Sequence, residues 1–180
     1  MVITEERLSD IHKEEVWRLV ETGDKEFVPP LSSRHSTTQQ TLAFAPAENS
    51  PTAYFNGLME QKFILCIEDQ KTVGFMSYIE DHLLTAGTVS YVCDYVTTVI
   101  ISPDHRNKGY AQKMYLKLFE SGKSKRYATR TWSTNVSHIT ILKKLGFKLV
   151  SRIKNDRGEG IDTVYYLRED HENEQDKYSR

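Results

Sequence analysis

Between a long apolar run and an amphipathic stretch lies Arg106-Asn107-Lys108-Gly109-Tyr110-Ala111. A strand, then a turn with glycine and small residues, then a helix start is a physical recipe for holding an anion. Backbone N–H groups point outward there without partners, and the helix dipole favours negative charge. Gly109 lets the backbone approach a phosphate closely, Ala111 keeps the first turn slim, and Arg106 and Lys108 add charge nearby. The segment is neither the P-loop, which needs Gly-Lys-Ser/Thr, nor the dinucleotide Gly-x-Gly-x-x-Gly; taken alone, a loop with one glycine and two basic residues is most often just a polar turn. Asp94 is an acid inside an apolar strand, either a base with a raised pKa or a strand-end residue facing water. Arg34 follows two prolines, and either holds a carboxylate bidentately or lies solvated on the surface.

Rigid elements must position these residues. A first helix is predicted after a cap at Ser9 or Asp10, with Ile11, Val16, Leu19 and Val20 at helical spacing, ending near Gly23. Residues 27–34 cannot be regular helix, because Pro29, Pro30 and the residue before them are biased to extended geometry. Short helices are expected at 37–44 and 52–61. From Lys62 the character changes to strands. Residues 63–67 and 73–79 read as a hairpin around Asp69-Gln70-Lys71. Residues 89–101, rich in Val, Ile, Thr and Tyr, read as a central strand ended by Ser102-Pro103. Ala111, Met114, Tyr115, Leu118 and Phe119 then share one helical face. A strand at 127–132 follows. Asn135 caps a helix with the stripe Ile141, Leu142 and Leu145, closed by Gly146. Two further strands, 147–153 and 163–167, are joined by the polar turn 155–160.

The chain has 180 residues, 38% hydrophobic and 27% charged, which suits one soluble domain with one sizeable core. A net charge of −1 supplies no global field for nucleic acid or an anionic membrane, so neither is expected as a partner. Cys66 and Cys93 lie in apolar stretches without Cys-x-x-Cys spacing, which points to two buried reduced thiols and a cytoplasmic location. The six histidines are scattered, so no metal is expected. No apolar run approaches the ~20 residues of a membrane span, and the first ten residues carry charge where a signal peptide needs an apolar core. Residues 169–180 are highly charged and apolar-poor, and are predicted to be a disordered tail.

The cradle resembles the signature of the GNAT superfamily of N-acetyltransferases, Arg/Gln-x-x-Gly-x-Gly/Ala opening a helix after a long strand; Arg106, Gly109 and Ala111 fill it. A second pattern of that family, an asparagine and then a helix ending in Lys-x-Gly-Phe, is matched by Asn135, Lys144, Gly146 and Phe147. The resemblance spans roughly residues 62–167. It implies a single-domain α/β fold over residues 1–168, with a central mixed, mostly antiparallel sheet flanked by helices and two splayed central strands. Residues 1–61 would supply the N-terminal helices and acceptor-pocket elements. It also implies acetyl-CoA as acyl donor and an amine as acceptor, with the protein a monomer or homodimer. The pantetheine arm would pair with backbone of Val99, Ile100 and Ile101. Arg106, Asn107, Lys108, Gly109, Tyr110 and Ala111 would hold the pyrophosphate. Asn135 would contact the pantetheine or acetyl end, a role compatible with capping.

The family's reaction is direct attack of a neutral amine on the thioester, which calls for a base or water path, an oxyanion donor and a proton donor for the thiolate. Many members carry the acid as a tyrosine two residues before the lysine of Lys-x-Gly-Phe; here that position is Leu142. His138, one helical turn earlier on the same face, is then a candidate acid near the cofactor's sulfur or a packing histidine, and Tyr165 or Tyr166 is a further candidate. The family's usual strand glutamate is replaced by Thr97 and Thr98, which leaves Asp94 as the nearest titratable candidate base. The stiff segment 27–34 is the candidate acceptor wall, with Phe27, Leu31 and Arg34 as its lining. The acceptor expected is a small molecule or amino acid. A non-catalytic acyl-CoA-binding regulatory module and a protein lysine or N-terminal acetyltransferase are the alternatives.

Overall fold

The computed structural model describes residues 1–5, 7–42, 50–120 and 124–170. In chain order they form β1 (Val2–Glu5), α1 (Asp10–Gly23), α2 (Thr52–Leu58), β2 (Lys62–Glu68), β3 (Lys71–Ala86), β4 (Val89–Ile101), α3 (Tyr110–Glu120), β5 (Arg126–Trp132), α4 (Val136–Lys144), β6 (Lys148–Ile153) and β7 (Thr163–Glu169). One seven-stranded sheet runs β1-β2-β3-β4-β5-β7-β6. Every neighbouring pair is antiparallel except β4 with β5.

The sheet is buried on both faces, which is why β2 is a continuous apolar run. Phe63 and Leu65 pack with Val16 and Val20 of α1 and with Tyr54 and Leu58 of α2. The alternate residues Ile64 and Cys66 pack with Met114, Tyr115 and Leu118 of α3 and Leu142 of α4. Period-2 alternation in the strands meets helical stripes on each side. Ser9 caps α1, its hydroxyl accepting from the His12 N–H, and Asn135 caps α4 by accepting from the His138 N–H. The two cysteines are free and buried, and desolvation pushes their pKa values up, Cys66 to about 11 and Cys93 to about 12.

Two irregularities shape the centre. Ser77 pairs with Thr98 but Tyr78 with Val96, so Thr97 is an extra residue bulged out of β4. The bulge shifts the alternation by one. Tyr95 and then Thr98 and Ile100 all face the side of α1 and α2, where the Thr98 hydroxyl meets Tyr54 Oη at 2.7 Å. The parallel pairing of β4 with β5 covers only Asp94, Tyr95 and Val96 against Tyr127, Ala128 and Thr129. Beyond it β4 stays with β3 and β5 with β7, so the two strands part and leave a fork.

Some expectations change. Residues 37–42 are turn and bend, not helix, and 43–44 lie outside the described residues. The Gln39 side chain turns back to accept from the His35 and Ser36 N–H groups and to donate to the Thr41 carbonyl, which stabilises a local turn in place of helix. The helix at 52–61 stops at Leu58. The strand at 73–79 runs on to Ala86, past a break where Asp81 has φ of 50°. β1 was not visible in the sequence; it pairs with β2 from Val2 opposite Cys66 to Glu5 opposite Phe63. Glu169, expected in the tail, is the last residue of β7, opposite Arg126 and ion-paired with it at 2.6 Å; residues 171–180 lie outside the described residues.

Candidate active site

The cradle is a turn with two left-handed residues, Asn107 at φ 60° and Gly109 at φ 76°. The first bond into α3 runs from the Lys113 N–H to the Gly109 carbonyl at 3.0 Å. The N–H groups of Tyr110, Ala111 and Gln112 therefore have no intrahelical partner. A Cβ built on Gly109 meets nothing within 4 Å, so the space over this turn is open to a ligand. The flanking cations are less free than the sequence implies. Arg106 donates to the Ile101 carbonyl at 3.1 Å and to Glu26 at 2.6 Å, strapping the end of β4 to the turn after α1. Lys108 lies 3.6 Å from Glu68, which also accepts from Tyr110 Oη. That hydrogen bond, ahead of the charges of Lys108 and His105, holds the Glu68 carboxyl below its usual range.

A cavity of about 460 Å³ extends from this turn into the fork. Val99, Ile100 and Ile101 line one side, and Thr129, Arg130, Thr131 and Trp132 the other. With β5 gone beyond Val96, alternate backbone groups of this part of β4 face the cavity without a strand to pair with. The Thr129 hydroxyl closes the base of the fork by donating to the Val96 carbonyl at 2.9 Å. Asn135 lines the cavity as well as capping α4, and its amide donates to Thr131 Oγ1 at 3.0 Å. Behind the bulge, Thr97 donates to Gln61 at 2.5 Å and accepts from the Ser77 hydroxyl at 2.8 Å.

His138 lines the cavity and its Nε2 lies 2.9 Å from Tyr115 Oη. Desolvation lowers its pKa to about 4 and raises that of fully buried Tyr115. Burial therefore favours the neutral imidazole near pH 7. Leu142 is fully buried in the core under α4 and is absent from the cavity wall; its neighbour Ile141 lines the cavity instead. Asp94 is buried below the fork, beside Tyr127 and off the cavity wall, so the structure does not bring it to the site as a base. Tyr165 is also buried away from the wall, and reaches the site only through Arg130, which donates to its hydroxyl at 3.4 Å.

Two of the three residues expected in the acceptor wall reach the cavity. Phe27 and Arg34 line the cavity, whereas Leu31 is fully buried against α1 and α2 and belongs to the core. Arg34 is buried, not solvated; it donates to the Pro29 carbonyl at 2.8 Å and lies over the rings of Phe27 and Tyr54. Two arginines of the cavity went unrecognised in the sequence. Arg130 sits on β5 with its side chain on the Tyr165 side of the sheet, and a cation in mid-strand was the available signal. Arg157 looked like part of a polar turn, yet it is buried, donates to the Val28 carbonyl at 2.6 Å and to Thr163 Oγ1 at 2.9 Å, and lies over Trp132. Burial first, then the charges of Arg34 and Arg130, lowers its pKa to about 9.

The model of a protein family described as an acetyltransferase (GNAT) domain matches residues 35–150. Solved structures share the fold at low identity. A GNAT-family acetyltransferase from Streptococcus agalactiae superposes with TM-score 0.66 at 16% identity, over 95% of this chain and 96% of that one. A ribosomal-protein-alanine N-acetyltransferase from Brucella melitensis gives 0.64 at 10%, over 93% and 99%. A protein assigned as a streptothricin acetyltransferase from Bacillus anthracis, in complex with acetyl coenzyme A, gives 0.51 at 12%, over 62% and 63%. A search of curated proteins found no match.

Proposed function

The chain belongs to the GNAT acetyltransferase family, and from that premise we propose that it moves an acetyl group from acetyl-CoA to a primary amine by direct attack. The observation that carries this reading is one continuous cavity with an open N–H cradle at one end and a parted β4–β5 pair at the other. The cradle N–H groups of Tyr110, Ala111 and Gln112 suit a pyrophosphate. Unpaired backbone of Val99, Ile100 and Ile101 suits a pantetheine arm. An unpaired β4 N–H next to the bulge suits the thioester oxygen, where it would stabilise the charge that develops on attack.

The chain's own groups divide the remaining work. Asn135 holds the start of α4 against β5 and so fixes one wall of the cavity. Neutral His138, backed by Tyr115, offers the leaving sulfur a hydrogen bond, not a transferable charge. On the acceptor side the guanidinium charges of Arg34, Arg130 and Arg157 disfavour an ammonium and favour the neutral amine that attack requires. The Thr97, Ser77 and Gln61 network gives a released proton hydrogen-bonded neighbours at the base of the fork.

The test has two readouts. Saturating acetyl-CoA is expected to raise the melting temperature in a concentration-dependent way, since ligand at 100 times Kd stabilises by about 2.7 kcal/mol. A panel of amines is expected to release free thiol from acetyl-CoA. An unmoved melting temperature refutes the donor site; stabilisation without thiol release from any amine refutes transfer and leaves a binding module.

A further inference from the structure

Three arginines converge on the acceptor side of the cavity from separate parts of the chain. Arg34 comes from the stretch after the two prolines, Arg130 from β5 and Arg157 from the turn between β6 and β7. Arg34 is 7% and Arg157 6% exposed. Among the described residues, none of the three has a carboxylate within 4.0 Å. Arg18, Arg106, Arg126, Arg152 and Arg168 all do. Their hydrogen bonds go to neutral oxygens only: Val28 and Pro29 carbonyls for Arg34, the Val28 carbonyl and Thr163 hydroxyl for Arg157, and two 3.4 Å contacts for Arg130. Asp156, the acid nearest in sequence, already accepts from that same Thr163 hydroxyl.

Burying a charge without a counter-charge is unfavourable, and near pH 7 an arginine still keeps its proton, Arg157 with its lowered pKa included. The three also repel one another. Aromatic rings nevertheless hold two of them in place: Phe27 and Tyr54 beside Arg34, and Trp132 beside Arg157. Pre-positioned guanidinium forks match the planar, bidentate geometry of carboxylate or phosphate oxygens. The donor's phosphates do not account for them. The cradle belongs to α3, which packs on the opposite face of the sheet from Arg130 and Tyr165. A lysine side chain of a protein substrate would bring more positive charge to a positive wall.

Building on the transfer reading above, we infer that the acceptor is a small primary amine carrying two negative charges, as an amino dicarboxylate or an amine with a phosphomonoester. Its anionic groups occupy Arg34, Arg130 and Arg157, and its amine reaches into the fork. The acyl-transfer step balances simply. The amine nitrogen forms a bond to the acetyl carbon, the carbon–sulfur bond breaks, and the amine proton leaves with the thiol or to water.

The experiment uses the full chain saturated with acetyl-CoA or CoA, and four probes: L-aspartate, O-phosphoethanolamine, neutral glycinamide and cationic putrescine. Thiol release is followed with acetyl-CoA, and melting temperature with CoA. We expect aspartate, phosphoethanolamine or both to be acetylated with KM at least tenfold below glycinamide, and to raise the melting temperature where putrescine does not. Arg130→Gln is expected to raise the KM of the dianionic amine at least tenfold, with Arg130→Lys intermediate. The difference between aspartate and phosphoethanolamine separates carboxylate from phosphate. Dianionic stabilisation without thiol release refutes transfer and upholds the anionic site. Preference for glycinamide or putrescine, no stabilisation by either dianionic probe, or an Arg130→Gln enzyme with unchanged KM overturns the inference.

Discussion

Replacing Gly109 by alanine tests the cradle without crowding it. The added Cβ meets no atom within 4 Å, so any effect must come from the backbone. At φ 76° an L-residue is strained by roughly 1–2 kcal/mol. The turn is exposed, so in the free protein the alanine variant can relax toward negative φ and rotate the Tyr110 and Ala111 N–H groups off their common target. Binding must then restore the strained conformation. The expected result is a melting temperature close to that of the parent protein, and acetyl-CoA affinity weakened by about five- to thirtyfold, the ratio that 1–2 kcal/mol corresponds to. Isothermal titration with acetyl-CoA measures the second quantity and a thermal melt the first. Parental affinity in a folded Gly109→Ala protein would show that the turn's left-handed geometry has no part in holding the donor.

Three further outcomes follow from the geometry. His138 has a folded pKa of about 4 against 6.5 unfolded, so the unfolded chain binds the extra proton. Its stabilising contribution is complete above pH 6.5 and lost as pH falls toward 4, by at most about 3 kcal/mol at 1.36 per pKa unit; melts across that window should flatten in His138→Gln. Gly74→Ala places a Cβ 2.9 Å from the Ile100 carbonyl oxygen, where backbone must shift, so a loss of about 1–3 kcal/mol by chemical denaturation is expected, with weaker acetyl-CoA binding because the end of β4 moves. Asn135→Ala removes the α4 cap and the Thr131 hydrogen bond, for an expected loss of about 0.5–2 kcal/mol in the same measurement; an unchanged midpoint would mean that neither bond matters.

The elements most legible in the sequence were those with strong periodicity or a cap. β4 occupies the predicted 89–101, and α1, α3 and α4 start and stop within a residue or so of their signals. β1 was missed because its strand character comes from pairing with β2, not from a bounded apolar run. The later half of β3 was missed because Glu80, Asp81 and His82 interrupt the apolar pattern at a backbone break. The donor end of the site was readable, since Arg106, Gly109 and Ala111 lie in one short segment whose spacing carries the geometry. The acceptor end was not. Arg34, Arg130 and Arg157 meet only through tertiary structure, and Arg157 has the composition of an ordinary turn residue. Asp94 misled because strand alternation decides its face, and the bulge at Thr97 resets that alternation before the cavity begins.

The Val28 carbonyl accepts from Arg34, six residues away, and from Arg157, 129 residues away, while Arg130 reaches the Thr37 carbonyl across 93 residues. The backbone of the cradle turn, in contrast, closes through contacts within five residues, Lys113 to Gly109 and Arg106 to Ile101, and only its side chains reach on to Glu26 and Glu68. The two ends of one cavity thus differ widely in contact order. Loop closure sets in early for the donor end and late for the acceptor end, which waits until the last hairpin docks on the stretch after α1. In the native protein the same asymmetry implies a local opening in which the turn between β6 and β7 lifts away while α3 keeps its start. Amide exchange around Val28, Arg157 and Ile161 should then be faster than at α3, and a chain caught in that opening would still take up acetyl-CoA with less to hold the molecule that receives the acetyl group.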